Sequence, residues 1–281
     1  MVIGAIIQAR LGSSRLPNKV LKNLPFFSEE TILSNIISRA KKVKGIDKII
    51  VATTTNSKDD LLENYCKANK ISYFRGSEEN VLERYYLASK NFNLDVIIRL
   101  TSDNPLIDIE LLEETIEYFK NEEKLDYLRT KNTPIGMGVE IFSFKALEKN
   151  YFNSNQAVEK EHVTPYFYKT CPEEFRIKEY ESKKYINNDN FKGRFTIDTL
   201  EDYTFMCCIF DEVYNNNKFF SLKEVKELFI KKPWLYNINS NIEQKKTCSS
   251  LEEEIEEALR LLNKQDLNRA EKYLKEEYYG K

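Results

Sequence analysis

Three cations and three small residues share one short turn near the N-terminus, and this combination could hold phosphate groups. In residues 9–19, here called the cationic turn, Arg10, Arg15 and Lys19 surround Gly12, Ser13 and Ser14. Glycine and serine let backbone amides point inward as an anion-binding nest, while two guanidiniums and one ammonium supply charge for several phosphate oxygens. Neither the P-loop pattern nor Gly-x-Gly-x-x-Gly occurs here. The turn therefore predicts a polyphosphate site of another kind; the alternative is a strand-to-loop junction whose cations are only solvated.

An apolar run directly before this turn indicates the element that positions it. Residues 2–7 are rich in β-branched side chains, as in a strand that a parallel sheet covers on both faces. A helix over residues 32–43, a strand over 48–52, a helix over 59–67 and a strand over 71–74 are predicted to follow. This alternation predicts a doubly wound α/β sheet, in which ligand loops lie at the carboxyl ends of the strands.

A carboxylate follows another predicted strand at the same edge. Residues 95–100 form an apolar run that ends in Thr-Ser-Asp-Asn-Pro at 101–105. Because proline keeps the preceding residue out of the helical conformation, the segment should turn at the sheet edge and present Asp103 beside the cationic turn. From its position alone, Asp103 could instead be a helix cap. A second aspartate, Asp198, ends a predicted strand over residues 194–198.

Five stretches, in order along the chain, carry a resemblance to a known family. Residues 9–19 resemble the nucleotide-binding signature of the CMP-sugar synthetase (cytidylyltransferase) superfamily, Ala-Arg-x-Gly-Ser-x-Arg-x-Pro-x-Lys. The nearer likeness is to the branch typified by spore coat polysaccharide biosynthesis protein F. Residues 74–86, 99–108, 161–168 and 194–202 agree with the same family. The resemblance covers roughly residues 1–245 and leaves the C-terminal tail outside it.

This resemblance implies a role for each part of the site. It places Asp103 and Asp198 at the family's metal-binding positions, as ligands of Mg²⁺, and makes them catalytic together with Arg10 and Lys19. The nucleotide-binding residues that it implies are Ala9, Arg10, Leu11, Gly12, Ser13, Arg15, Lys19, Arg75, Gly76, Ser77 and Ser102. The acceptor-side residues are Arg129, Lys131, Gly138, Glu140 and His162, each of which could instead be structural.

The resemblance also implies an architecture. Residues 1–245 would form a nucleotidyltransferase domain with a mostly parallel, GT-A-like sheet, and about 150–192 would be the arm through which these enzymes form homodimers. The apolar pattern of residues 246–281, with Ser250 and Asp266 as helix caps, predicts a C-terminal helical hairpin.

Composition limits the other classes of protein. The 281 residues carry a formal net charge of −2, so no global field favours nucleic acid or an anionic membrane. The apolar run at the N-terminus has only six residues and no cationic segment before it, so we expect neither a signal peptide nor a membrane span. Five cysteines without Cys-x-x-Cys spacing favour a reducing cytoplasm. One histidine leaves little room for a Ser-His-Asp nucleophile or a His-rich metal site.

The resulting hypothesis is nucleotidyl transfer from a nucleoside triphosphate, with CTP expected, to a sugar or sugar phosphate for polysaccharide or glycoconjugate synthesis. An attacking anomeric hydroxyl would give a CMP-sugar, and an attacking phosphate would give a CDP-linked product. Guanylyl transfer to a sugar 1-phosphate is an alternative. A GT-A glycosyltransferase would need an Asp-x-Asp after a strand, which is not evident. The intact cations and carboxylates disfavour a non-catalytic nucleotide-binding scaffold.

Overall fold

The computed structural model describes residues 1–13, 15–185, 193–243, 248 and 250–280. Ser14 of the cationic turn, residues 186–192 of the predicted arm, and residues 244–247, 249 and 281 around the predicted hairpin lie outside the described residues. The chain divides into two compact units, Met1–Ile242 and Glu243–Lys281. Among the described helices, none combines the length and the apolar composition that crossing a membrane requires.

One sheet forms the centre of the first unit. Its seven strands within the described residues are β1 (Ile3–Gln8), β2 (Lys48–Thr54), β3 (Ser72–Gly76), β4 (Val96–Thr101), β5 (Tyr127–Thr130), β6 (Glu140–Ser143) and β7 (Ile177–Tyr180). They lie in the order β3-β2-β1-β4-β6-β5-β7. Only β6 runs against its neighbours β4 and β5, and the other pairs are parallel.

Helices cover both faces of this sheet. They are α1 (Ile32–Ala40), α2 (Asp60–Ala68), α3 (Val81–Asn91), α4 (Ile109–Asn121), α5 (Phe144–Asn153), α6 (Ala157–His162), α7 (Leu200–Val213) and α8 (Leu222–Lys231). Alternate side chains of β1 enter two cores: Ala5 packs in the core that includes α1, α4 and α7, and Ile6 packs in the core that includes α3 and α5. The predicted doubly wound, mostly parallel α/β sheet is confirmed.

The register of the parallel strands gathers their following turns at one edge. Gln8 at the end of β1 pairs with Ala52 of β2 and with Thr101 at the end of β4. Because parallel strands end at the same edge, the turns after β1, β2, β3 and β4 lie next to one another. This edge is where the cationic turn and Asp103 meet.

In the second half of the chain, one predicted element is wrong and another begins later than predicted. Residues 194–198 are extended but contribute only one bridge, between Arg194 and Ile135, because their backbone bonds go to two loops rather than to a strand. The aromatic-rich helix predicted to begin at residue 161 begins later. α6 ends at His162, Val163 has a φ of 70°, and a short π-helix, Tyr166–Thr170, follows with Pro165 at its N-cap position.

Two helices make up the second unit in its described part. They are α9 (Leu251–Lys264) and α10 (Asn268–Tyr279), which pack against each other. Ser250 caps α9 as predicted, since its side chain accepts a hydrogen bond from the backbone of Glu253. The predicted cap Asp266 does not cap α10, because Leu267 occupies the cap position and Asp266 adopts a φ of 55° in the turn.

Candidate active site

Backbone hydrogen bonds tie the cationic turn to the loop after β2. The amide of Ala9 donates to the carbonyl of Ala52 (3.1 Å), and that of Leu11 donates to the carboxylate of Asp59 (2.7 Å). Asp59 is buried and also accepts from the hydroxyl of Thr54. The Ser13 amide, expected to face a phosphate, donates to the carbonyl of Leu11 at 2.9 Å. The buried carboxylate of Asp59 therefore fixes the start of the turn. The backbone amide of Ser13 is already bonded within the turn.

Lys19 connects this turn to two remote segments. It opens a short 3₁₀ turn, Lys19–Leu21, after Asn18 in the left-handed conformation. Its Nζ donates to Oδ2 of Asp103 (3.2 Å), to Oδ1 of Asp198 (3.1 Å) and to the carbonyl of Ile197 (2.7 Å). Only 11% of the Lys19 side chain is exposed. One ammonium, largely shielded from water, thus brings together the two carboxylates that the sequence singled out.

A group of charged residues holds Asp198 in place. Arg194 donates to Oδ2 of Asp198 (2.7 Å) and, through Nε, to the buried Asp202 (3.0 Å). Asp202 also accepts from the backbone amides of Asp198 and Thr199 at the start of α7 (3.0 and 3.1 Å). Arg15 lies 3.2 Å from Oδ1 of Asp198. Asp198 is therefore anchored through one oxygen and faces the cationic turn with the other.

These neighbours also set the ionisation of Asp198. Burial raises the pKa of this carboxyl, but the charge of Lys19 and its hydrogen bond, followed by the charges of Arg15 and Arg194, lower it more. The net pKa of Asp198 lies below its ordinary value. Asp198 is accordingly ionised at neutral pH and can bind a cation.

The turn after β4 presents Asp103. The amide of Ser102 donates to the carbonyl of Gln8 (3.1 Å), which ties this turn to the end of β1. The carbonyl of Asp103 accepts from the amide of Ile197 at 2.8 Å. The segments that carry Asp103 and Asp198 are thus joined by a backbone hydrogen bond as well as through Lys19. Their side chains are 28% and 15% exposed, so both are within reach of a ligand.

The donor set suits Mg²⁺. Two carboxylates that share one cation supply hard oxygen ligands, and Mg²⁺ in proteins is commonly bound by one or two carboxylates with substrate phosphates and water completing its shell. The ammonium of Lys19 lies between the same two oxygens. The residues present therefore fit a divalent ion beside a bound polyphosphate.

The predicted base or ribose contacts lie on the other side of the cationic turn. Arg75 in β3 donates from Nε to the carbonyl of Thr54 (2.8 Å) and from NH2 to that of Asn56 (2.9 Å), and its NH1 pairs with Glu63 and Asp60. Arg75 therefore holds the connection between β2 and α2. Its contact with the nucleotide stays a prediction, as do those of Gly76 and Ser77. The Ser77 hydroxyl accepts from the amide of Asn80 (3.0 Å), just before α3.

Glu78 closes this side of the turn. Its carboxylate lies 3.6 Å from NH1 of Arg10 and accepts a hydrogen bond from the side-chain Nδ2 of Asn56 (2.9 Å). A Cβ at Gly12 would lie 3.7 Å from the same carboxylate. The predicted phosphate ligand Arg10 thus has an acidic partner on the β3–α3 loop, while Arg15 and Lys19 have theirs in Asp198.

Comparison with known proteins decides the family. A family model described as cytidylyltransferase matches residues 4–255. The chain belongs to the cytidylyltransferase family. It is 40% identical over 87% of its length to an uncharacterized protein of Methanocaldococcus jannaschii, 97% of which is covered. It is 35% identical over 70% of its length to the spore coat polysaccharide biosynthesis protein SpsF of Bacillus subtilis, 82% of which is covered.

A solved structure agrees with this assignment. The cytidylyltransferase from Leptospira borgpetersenii superposes with a TM-score of 0.75 at 34% identity, over 88% of this chain and all of that chain (100%). The resemblance drawn from the sequence and the prediction of a nucleotidyltransferase are therefore confirmed. Both rest on the family as a whole and leave the acceptor open.

A cleft beside the carboxylate pair contains three of the five acceptor residues expected in this cytidylyltransferase. Arg129, Gly138 and Glu140 line a cleft of about 280 Å³ together with Asn104, Thr130, Gly136 and Val139. Lys131 pairs instead with Glu181 at 3.7 Å, and His162 ends α6, which packs against α3. Neither residue is part of the cleft lining.

Sequence reasoning missed two polar residues that contact Glu140 of this cleft. Arg99 donates to Glu140 at 2.6 Å, and the hydroxyl of Tyr127 donates to the other oxygen of Glu140 at 2.5 Å. Burial, and then the charge of Glu140, raise the pKa of Tyr127. Both residues lie in strands, where an alternating pattern gives no hint that their polar atoms meet at Glu140. Arg99 did stand within a stretch that resembles the family.

Proposed function

We propose that this cytidylyltransferase transfers CMP from CTP to a sugar or sugar phosphate and releases pyrophosphate. The observation that carries the proposal is the single ammonium of Lys19 between Asp103 and Asp198, beside a turn that holds two arginines. Transfer from a nucleoside triphosphate needs this combination, because its reacting phosphorus is surrounded by negative oxygens. Cations that bind the phosphates and carboxylates that bind a metal ion must therefore lie close together.

Attack at the α-phosphorus places extra negative charge on the phosphoryl oxygens and on the leaving pyrophosphate. Catalysis is therefore mainly positioning and electrostatic stabilisation. In the proposed complex, Arg10, Arg15 and Lys19 bind phosphate oxygens, and Lys19 offers a compact ammonium to the charge that develops. Glu78 would release Arg10 to the triphosphate.

Asp103 and Asp198 would hold Mg²⁺ in this complex. When bound, the ion supplies charge compensation at the phosphate and eases deprotonation of the attacking hydroxyl or phosphate. The residues behind the pair keep the geometry fixed: Arg194 and Asp202 hold Asp198, and the turn after β4 holds Asp103. Fixed carboxylates limit the reorganisation that would otherwise accompany metal binding.

The charges of the cleft bear on the acceptor. Arg99 pairs with Glu140, and Arg129 pairs with Glu179 through both Nε (3.0 Å) and NH2 (2.5 Å). Arg129 of the cleft lining and Arg99, which contacts Glu140, therefore each have an acidic partner. A sugar that binds through hydroxyl groups fits this balance directly. An acidic sugar would have to compete with Glu179 for Arg129.

Three wider statements belong to the same proposal. The relative in Bacillus subtilis acts, by its name, in spore coat polysaccharide biosynthesis, and this supports a role for the present chain in making a surface polysaccharide. The homodimer formed through the arm of residues 150–192 is proposed from the resemblance alone. A cytoplasmic location is proposed from the cysteine pattern.

Pyrophosphate release is the direct test. The purified chain is assayed with each of the four nucleoside triphosphates, Mg²⁺ and a panel of sugars and sugar phosphates, and the products are identified by mass spectrometry. We expect CTP-dependent release of pyrophosphate together with a cytidylylated sugar. Release without such a product would indicate hydrolysis only, and no release with any pair would reject the proposal.

A further inference from the structure

Arg84 is a buried arginine that the proposed mechanism has not used. It lies in α3 and is 2% exposed. Within the described part of the chain, its Nε and NH1 have no hydrogen-bond partner. A guanidinium removed from water without partners destabilises a protein, so such an arrangement needs a reason. A ligand that supplies hydrogen-bond acceptors would be one.

The surroundings of Arg84 belong to the nucleotide side of the candidate site. A Cβ at Gly76 would lie 3.3 Å from Cγ of Arg84, so its stem runs along the end of β3. Burial lowers the pKa of Arg84; Tyr85 raises it, the charge of Arg10 lowers it, and Asp59 and Glu78 raise it. Arg10, Asp59 and Glu78 lie in the cationic turn, the β2–α2 connection and the β3–α3 loop. Arg84 therefore lies within electrostatic reach of these three loops.

Arg75 offers the contrast that makes Arg84 informative. Both arginines belong to the same stretch of family resemblance, and the resemblance alone favoured Arg75 as a base or ribose contact. All three nitrogens of Arg75 already have carbonyl or carboxylate partners from the β2–α2 connection and α2. Arg84 retains donors. The arginine of this stretch that is able to bind a new acceptor is therefore Arg84.

We propose that Arg84 donates hydrogen bonds to the acceptor edge of the base of the bound triphosphate. The inference rests on the proposed function, which makes that triphosphate CTP. Cytosine presents O2 and N3 side by side as acceptors, and a guanidinium has only donors, in a fixed fork that matches two adjacent acceptors. Uracil carries a hydrogen on N3, which would face the fork donor to donor. Arg84 would thus select cytosine over uracil.

Two other roles are open to a buried arginine, and they predict different results. If Arg84 bound a phosphate, its loss would weaken binding of inorganic tripolyphosphate as much as that of CTP. If Arg84 only supported the fold, its loss would lower the Tm of the ligand-free chain and leave base preference intact. Replacement of an unpaired buried charge by an apolar residue of similar length should instead be neutral or stabilising.

The test compares wild type with Arg84→Met by isothermal titration with CTP, UTP and tripolyphosphate in the presence of Mg²⁺, and by thermal unfolding without ligand. We expect at least about tenfold weaker CTP binding, a loss of preference for CTP over UTP, unchanged tripolyphosphate binding and no fall in Tm. Arg84→Lys, which keeps one charged donor group but not the fork, should keep only part of the preference.

Three results would overturn the inference. Equal weakening of CTP and tripolyphosphate would make Arg84 a phosphate ligand, and a lower Tm with unchanged CTP preference would make it structural. If wild type prefers CTP and Arg84→Met retains that preference, this inference fails while the proposed function stands. If wild type binds no triphosphate, or shows no preference for CTP, the proposed function fails with it.

Discussion

Nζ of Lys19 lies 3.1 Å from Oδ1 of Asp198, a residue 179 positions further along the chain. The same ammonium lies 3.2 Å from Oδ2 of Asp103. Lys19 therefore bridges two carboxylates and reduces the repulsion between them. It also lies where a nucleoside triphosphate would bring its phosphates and its metal, so this one contact links the stability of the site to its chemistry.

Removal of the Lys19 ammonium should affect both the stability of the protein and the rate of nucleotidyl transfer. Lys19→Met should slow nucleotidyl transfer by about 10²- to 10³-fold, since the developing charge loses a fixed donor. The variant should also have a lower Tm, and Mg²⁺ should raise that Tm more than it raises the Tm of wild type, because binding to the folded state alone stabilises it. Thermal unfolding with and without Mg²⁺ measures this. Lys41→Met, at an exposed lysine, is the matched control, and Mg²⁺ should raise its Tm as much as that of wild type. An equal rise in Tm for Lys19→Met and wild type would contradict the prediction.

Low pH should destabilise the folded protein through protonation of Asp198. Because the folded-state pKa of Asp198 is depressed, its contribution to stability is present above the unfolded value of about 3.9 and is lost as the pH falls through the folded pKa. Asp198→Asn should therefore lower the Tm at neutral pH, and the difference from wild type should shrink below about pH 4. Thermal unfolding of both proteins at several pH values between about 2 and about 7 tests this prediction. A difference that stays constant across that range would show that Asp198 stabilises the fold by something other than its charge.

Asp202 should stabilise the fold by holding Arg194 and the start of α7 in position. It is fully buried, pairs with Arg194 and accepts two backbone amides at the start of α7. Asp202→Asn leaves the guanidinium of Arg194 with a weaker partner, so the free energy of unfolding should fall by about 3 kcal/mol. Urea denaturation measures it. A loss of activity without a loss of stability would indicate a direct role in the reaction.

Two acceptor-side predictions can be separated with a pair of variants. Arg129 lines the cleft, whereas Lys131, two residues away, pairs with Glu181 outside the cleft lining. Arg129→Met should raise the KM for the acceptor by about tenfold, the loss of one charge-assisted contact, with little change in the KM for CTP. Lys131→Met should change neither constant. If Lys131→Met raised the acceptor KM instead, the acceptor would bind closer to β7 than the cleft suggests.

Local sequence pattern predicted the first half of the fold and the cationic turn well. Strands and helices up to β4 follow from short apolar runs and helical spacing, and Asp103 follows from a strand that ends before a proline. The extended segment that carries Asp198 is predicted as a strand, because apolar Phe195 and Ile197 alternate in the sequence with polar residues. Its backbone partners are loops, which alternation does not encode.

What the sequence could not reveal are the partners of side chains. Nothing in the order of residues shows that Arg75 would bond to Thr54, Asn56 and Glu63, while Nε and NH1 of Arg84 would have no hydrogen-bond partner among the residues that the structure describes. Similarly, Arg99 and Tyr127 meet on Glu140 only because β4, β6 and β5 are neighbours in the sheet. Such pairings depend on the strand order, which only the folded chain shows.

The most direct test of the central claim is pyrophosphate release by Asp103→Asn, measured beside wild type and beside the exposed control Asp266→Asn in the second unit. The account predicts that Asp103→Asn keeps a cooperative thermal transition but loses at least about 10³-fold in turnover with CTP and Mg²⁺, as expected when charge compensation at the phosphate is removed, while Asp266→Asn matches wild type. A folded Asp103→Asn with turnover near that of wild type would contradict the assignment of the two carboxylates to the reaction.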